Sequence, residues 1–205
     1  MKEKRSFPPG TMLYPAPVVM VSCGILGEQM NIITVGWTGI INTNPPMTYV
    51  SVRKSRYSHG LLVEGREFVI NLTTEQLVRQ ADYCGVRSGR EENKFLTQQL
   101  TPIPATKIRC PMIQESPVNL ECKVIDVRSF PSHDMFLAEI VAFHADERLI
   151  DETGKIRMED ADLICYNHGA YYALRKESLG RFGFSVMKPK TKKRILGKDR
   201  QGRHR

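Results

Sequence analysis

The sequence predicts a mainly β protein, an antiparallel barrel with a few short excursion helices. Short β-rich runs outnumber helical ones along the chain. They follow one another at hairpin spacing, without the alternating strand–helix rhythm of a parallel sheet. No internal repeat is present, and the one biased segment is the basic C-terminus.

The elements can be justified in order. Residues 1–15, with Pro8, Pro9 and Pro15, form an irregular lead-in, and Val18–Ile25 is a hydrophobic strand leaving through Gly24 and Gly27. Two β-rich runs follow, Ile32–Ile41 and Met47–Arg53, flanking Asn42-Thr43-Asn44-Pro45-Pro46, whose prolines mark a turn or a strand edge. Ser58–Gly65 reads as a short helix, with Gly65 in the left-handed position that ends it. Glu67–Leu72 is a strand. Thr73-x-x-Gln76 and Ser88-x-x-Glu91 have the form of capping boxes, opening helices to about Tyr83 and over Glu91–Leu100. Leu100–Ile113 is Pro-punctuated and irregular. In Val118–Val127 the residues Val118, Leu120, Cys122 and Val124 alternate with Asn119, Glu121 and Lys123, a half-buried strand. Met135–His144 is apolar on both faces except Glu139, hence a central strand, and Ser132-His133-Asp134 is the turn before it. Leu149–Lys155 is a surface turn, and Met158–Leu163 leads into a late aromatic cluster with Tyr166, Tyr171 and Tyr172.

With 205 residues, 41% hydrophobic and 25% charged, the chain is long enough for a sizeable core and is globular in composition. The longest apolar run, Ala16–Leu26, is interrupted by Ser and Gly and is shorter than the roughly 20 residues of a membrane span. MKEKRSFPPG lacks the apolar stretch of a signal peptide, so the expectation is a cytoplasmic protein with no membrane partner. Five scattered cysteines without a C-x-x-C read as reduced thiols, and the lone Cys165/His168 spacing argues against a zinc site. The net charge of +8 belongs to Lys188–Arg205, where nine Lys or Arg face one acid; the rest of the chain is neutral. This divides the chain into a folded domain, 1–187, and a basic tail, 188–205, expected to be disordered. The tail lacks the interleaved aromatics that read bases, so nucleic acid is an unlikely partner.

No P-loop, G-x-G-x-x-G, G-x-S-x-G or H-E-x-x-H is present. What the chain offers is a polar set around its apolar runs: Asn31, Thr34, Arg53, Lys54, Ser55 and Ser58, with the only Trp, Trp37. A flat aromatic, hydroxyls and a basic end suit a planar, phosphorylated ligand. His133, Tyr166 and Lys94 are further candidates. On residue type alone each has an ordinary alternative: Trp37 in the core, His133 in an exposed turn, Tyr166 as packing, Lys94 as a solvated helix residue.

Eight motifs in order narrow the choice. They are N-x-x-T-x-x-W-T-G at Asn31–Gly39, N-P-P at Asn44–Pro46, S-V-R at Ser51–Arg53 and E-F-V-I-N at Glu67–Asn71. D-Y-C-G-x-x-S-G at Asp82–Gly89, N-K-F at Asn93–Phe95, L-E-C-K-V at Leu120–Val124 and S-H-D at Ser132–Asp134 follow. Over roughly Phe7 to Val186 the chain resembles the flavin reductase-like family, most closely its flavoredoxin branch. The resemblance implies a six-stranded antiparallel FMN-binding split barrel of Greek-key topology and a homodimer with FMN near its interface. It implies FMN contacts at Asn31, Trp37, Ser58 (Thr in close relatives), Lys94, His133 and Tyr166 (often Phe elsewhere), with Thr34, Ser51 and Arg53 as softer carry-overs. Lys94 and Arg53 would then balance the phosphate. The function implied is an oxidoreductase moving electrons from NAD(P)H or another carrier through FMN to a small-molecule or protein acceptor. A non-enzymatic FMN-binding electron carrier is the alternative, and a nucleic-acid-binding barrel acting through the tail a remote one.

Overall fold

In chain order the strands are β1 (Ala16–Pro17), β2 (Val19–Gly24), β3 (Met30–Val35), β4 (Thr38–Thr43), β5 (Pro46–Arg53), β6 (Glu67–Leu72), β7 (Pro102–Pro104), β8 (Pro111–Ile113), β9 (Val118–Ser129), β10 (His133–Ala145), β11 (Ile164–Asn167) and β12 (Ala170–Ala173). They belong to a computed structural model that describes residues 3–188. Seven of them form an antiparallel sheet in the order β3-β2-β6-β9-β10-β5-β4, where the resemblance implies a six-stranded barrel. The count rises because the run expected as one strand, Ile32–Ile41, breaks at Gly36-Trp37 into β3 and β4.

That break closes the barrel. In a flat sheet the six steps from β3 to β4 at about 4.8 Å each would separate them by about 29 Å. Only Gly36 and Trp37 lie between them in sequence, and a link of three Cα steps spans about 11 Å at most. The sheet must therefore curl until its ends meet. Val35 still pairs with Val19 of β2, while the Trp37 carbonyl already accepts the Ser51 N–H of β5 at 2.9 Å. Trp37 thus stands at the seam.

The interior is filled by Val21, Val50, Val52, Leu62, Phe68, Phe136 and Ala138, all fully or nearly fully buried. The opposite face of β2 and β3, with Met20 and Ile32, lies under the excursion helices and packs on Ala81, Cys84, Phe95 and Ile113. Burial on both faces explains why β2 reads as a continuous apolar run rather than an alternation. A second sheet, β1-β11-β12, is turned by His168-Gly169 at φ 47° and 97°, the two positive φ values of a tight primed hairpin.

Several local expectations are corrected. Helix α1 spans Tyr57–Gly65, but the left-handed residue is Arg66, φ 54°, whose N–H returns to Leu62 and whose carbonyl holds Val124 of β9. Thr73 opens no capping box: Thr74 takes the N-cap position without a side-chain bond, before a 3₁₀ turn (Glu75–Leu77) and α2 (Val78–Val86). Helix α3 is confined to Lys94–Thr97, because Asn93 rather than Ser88 caps it, accepting the Phe95 and Leu96 amides. His133 and Asp134 already belong to β10, pairing with Arg53 and Val52, and the turn lies before them. Leu100–Ile113 contains the β7–β8 hairpin, which covers the outer face of β6 and β9. That cover buries Asn119 and Glu121, expected on the solvent side, while Lys123 stays exposed.

The chain divides into two compact units, the first ending at Leu174 and the second beginning at Arg175. The described part of the second holds a 3₁₀ turn at Phe184–Val186. Beyond Lys188 the basic tail lies outside the described residues. Among those described, no helix is long and apolar enough to cross a membrane.

Candidate functional site

The barrel seam opens into a cavity of about 450 Å³. Trp37 is held there by the short β3–β4 link, 46% exposed, and its ring lies 4.6 Å from that of His133 at 37°. His133 begins β10 directly opposite Arg53, so both flank the opening; Ser132 Oγ is 2.8 Å from its Nδ1. Tyr14, Tyr166 and Tyr171, with ring centroids 5.6–6.0 Å apart in sequence along the cluster, form the other wall, brought in by the lead-in and the small sheet. The Tyr171 hydroxyl donates to Asp82 of α2 at 3.0 Å. Thr34 and Ser51 complete the lining, Thr34 donating to the Ala81 carbonyl at 2.5 Å.

A second cavity, of about 500 Å³, shares Ile33, Arg53 and Arg56 with the first. Arg53, Arg56, Arg87, Arg90 and Lys94 line it together with Asn31, Ser55, Ser58 and Ser88, and among the described residues no carboxylate does. Asn31 Nδ2 donates to Ser58 Oγ at 2.8 Å, both groups buried. Lys94, expected at the phosphate, is not a solvated helix residue. It is 2% exposed, and its Nζ donates to the Ile32 and Cys84 carbonyls at 2.8 and 2.9 Å, linking β3 to α2.

Electrostatics follow from burial. Desolvation, and then Arg53 nearby, push the His133 imidazole below its usual range, so it is neutral at pH 7. Burial likewise lowers the Lys94 ammonium. Its neighbours Cys23 and Cys84 are pushed up by burial, to about 12 and about 11, so they are inert thiols. Asp134 is pushed up by desolvation but held below the usual carboxylate range by hydrogen bonds from Ser129, His59 and Lys54. The Tyr171 hydroxyl is raised to about 12, by burial and then by Asp82.

The nine residues that the resemblance implies at the flavin line one cavity or the other: Thr34, Trp37, Ser51, His133 and Tyr166 the first, Asn31, Ser58 and Lys94 the second, and Arg53 both. Of the other two polar residues singled out, Ser55 lines the second cavity and Lys54, paired with Asp134, lines neither. Sequence reasoning missed Arg56, Arg87 and Arg90, and the Asp82–Tyr171 pair. The available signal was the R-x-x-R spacing, which occurs at Arg53–Arg56 and again at Arg87–Arg90.

Residues 11–175 match the model of the flavin reductase like domain. The chain belongs to that family. Within this flavin reductase-like family, a family of flavin-binding oxidoreductases, it falls in the flavoredoxin branch. Flavoredoxin of Desulfovibrio vulgaris (Miyazaki F) is 30% identical, with a TM-score of 0.83 over 90% of this chain and 100% of that one. Flavoredoxin from Methanosarcina acetivorans is 29% identical, with a TM-score of 0.81 over 91% and 100%. An uncharacterised protein of Archaeoglobus fulgidus is 33% identical over 63% of this chain and 72% of its own length. The split-barrel architecture is thus shared with proteins of known structure.

Proposed function

We propose that the chain is an FMN-dependent oxidoreductase that takes electrons from NAD(P)H and passes them to a small-molecule or protein acceptor. One observation carries this reading: an aromatic cavity of about 450 Å³ shares Ile33, Arg53 and Arg56 with a second cavity that is lined by five cationic side chains and, among the described residues, by no carboxylate. A flat ring system with a phosphorylated chain fits that pair, and a dinucleotide motif is not needed for it. An FMN-binding protein from Thermus thermophilus, 25% identical with a TM-score of 0.74, supports FMN as the flavin.

In this reading Trp37 and Tyr166 bound the ring, and Thr34 and Ser51 offer hydroxyls along its edge. Arg53 and Arg56, at the junction of the two cavities, draw the phosphate inward, with Ser58, Asn31 and Lys94 behind them. Bound FMN supplies the hydride and electron transfer. The neutral His133 orients by hydrogen bonding rather than by charge. A nicotinamide would stack on the exposed face of the ring. The working unit is a homodimer, for which the exposed Ile40 and Ile41 on β4 offer apolar surface.

The purified protein is expected to be yellow, to release FMN on denaturation, and to bleach anaerobically on adding NADH or NADPH. A colourless protein that takes up no added FMN overturns the reading. Bound FMN that neither nucleotide bleaches leaves an electron carrier reduced by a protein partner. Light scattering of the eluting protein checks the dimer.

A further inference from the structure

The cation cavity is larger and more charged than one phosphate requires. A phosphomonoester brings roughly −1.5 to −2 charges near neutral pH, against five cationic side chains and no carboxylate in the lining. The about 500 Å³ of this cavity also exceeds what a single phosphate with its oxygens fills. Among the described residues, the guanidinium groups of Arg53, Arg56 and Arg87 have no hydrogen-bond or ion-pair acceptor.

The cations come in two sets. Arg53, which ends β5, and Arg56, in the turn after it, also line the ring cavity, so they stand where the chain of a bound flavin would enter. Arg87 and Arg90 line only the second cavity. Their turn is held in place. The Arg87 N–H returns to Tyr83 at 2.9 Å and Glu91 N–H to Ser88 at 3.2 Å. Arg90 Nη1 donates to the Ser55 carbonyl at 3.2 Å, its guanidinium 5.6 Å from the Tyr57 ring centroid. At Gly89 a Cβ would fall 2.2 Å from Asn31 Oδ1, so the backbone approaches β3 as only glycine allows. Arg90 is thereby engaged, and Arg87 is presented on a fixed turn without a hydrogen-bond or ion-pair acceptor for its guanidinium among the described residues.

We propose that the Arg87–Arg90 turn is a second phosphoryl site, which takes the phosphate chain of a dinucleotide beside the flavin's own phosphate. The proposal rests on the flavin reading above and deepens it. Two sources share this chemistry: the outer phosphate of FAD, and the pyrophosphate of a nicotinamide dinucleotide docked on FMN-loaded protein.

Two titrations separate them, each on wild type, Arg87→Ala and Arg87→Lys. The apoprotein is titrated with FMN and with FAD, and the FMN-loaded protein with ADP-ribose, which carries a pyrophosphate but no nicotinamide. Tighter binding of FAD than of FMN names the first source; salt-sensitive binding of ADP-ribose names the second. In either case Arg87→Ala is expected to weaken that binding about tenfold, more than it weakens FMN binding, and Arg87→Lys to restore part of it. Equal affinities for FMN and FAD with no ADP-ribose binding overturn the proposal. Binding that is unchanged in Arg87→Ala also overturns it, because adenosine rather than phosphate then carries the affinity. Failure of the wild type to bind FMN at all is a different result, and it removes the flavin reading on which the proposal stands.

Discussion

Two regions of this molecule bury an ionisable side chain, and they do so in opposite ways. Behind the sheet, Glu121 of β9 is 0% exposed and fully satisfied. Its carboxylate accepts the Thr106 and Lys107 N–H groups at 2.7 Å each and the Thr106 hydroxyl at 2.8 Å, and lies 2.6 Å from His144 Nε2. Desolvation alone would raise its pKa; the Thr106 amide, His144, the Thr106 hydroxyl and the Lys107 amide together bring it down to about 2. At the site, Lys94 Nζ hydrogen-bonds only to two backbone carbonyls; Arg56 disfavours its charge, Glu92 partly offsets that from outside the cavity lining, and the other charged side chains of the lining are arginines. A saturated buried charge holds structure together. A buried cation among uncompensated cations is what an anionic ligand completes.

The comparison can be broken at each end. Glu121→Gln is expected to have the largest effect, on stability alone. The gap between 4.5 and about 2 corresponds to about 3 kcal/mol of linkage at roughly 1.4 kcal/mol per unit. Urea unfolding at pH 7 should show a loss of that order, with FMN affinity unchanged. Because the folded-state value is depressed, this stabilisation is present above about pH 4.5 and is lost as pH falls towards 2. The variant's stability should therefore fall less steeply over that window. A parallel decline in both proteins would show that Glu121 is not the group responsible.

Lys94→Met should do the reverse. Removing a charge that has no carboxylate partner is expected to change stability little, while FMN binding weakens by roughly 1.5–3 kcal/mol, the range for hydrogen bonds to charged groups. Fluorescence titration of the apoprotein measures it. Wild-type affinity with lost stability would make Lys94 a structural tie between β3 and α2, like Glu121.

His133 tests the seam with a smaller effect. Its pKa is lowered by burial and by Arg53, so its stabilisation of reduced flavin grows only below its displaced value. His133→Ala should lower the FMN midpoint potential little at pH 8, and by up to about 30–60 mV at pH 5, taking 1.5–3 kcal/mol at roughly 30 mV per 1.4 kcal/mol. Equal midpoints at both pH values would leave His133 no role at the flavin. The smallest effect is expected from removing residues 189–205. Both contrasted regions lie within the first unit, so flavin content and the urea midpoint should stay unchanged; loss of flavin would tie the tail to the site.

Much of this was legible beforehand, and particular residues show why. Trp37 and His133 sit in motifs whose spacing identified the family, and both line the ring cavity. The expected strand after His133 formed with a small shift at its start, while the run carrying Trp37 split into β3 and β4, since alternation and turn residues act only within a few positions. Glu121 was misread because alternation along β9 says nothing of a distant hairpin folding over its outer face. The burial of Lys94 was not legible for the same kind of reason. Its partners, Ile32 and Cys84, lie 62 and 10 residues away and offer backbone carbonyls, which no side-chain pattern announces.

The sequence by itself determined a β-rich chain of strands at hairpin spacing and a family of flavin-binding oxidoreductases, because these depend on local periodicity and on motif order; the break at Gly36-Trp37 came from the structure. Only the tertiary structure decided that segments as far apart as Tyr14, Asn31, Arg53, Arg87, His133 and Tyr171 meet at two adjoining cavities. The physical reason is the closure itself. A two-residue link joining the two ends of a seven-stranded sheet leaves the barrel no freedom to keep them apart, and every residue near either end is drawn to the same seam.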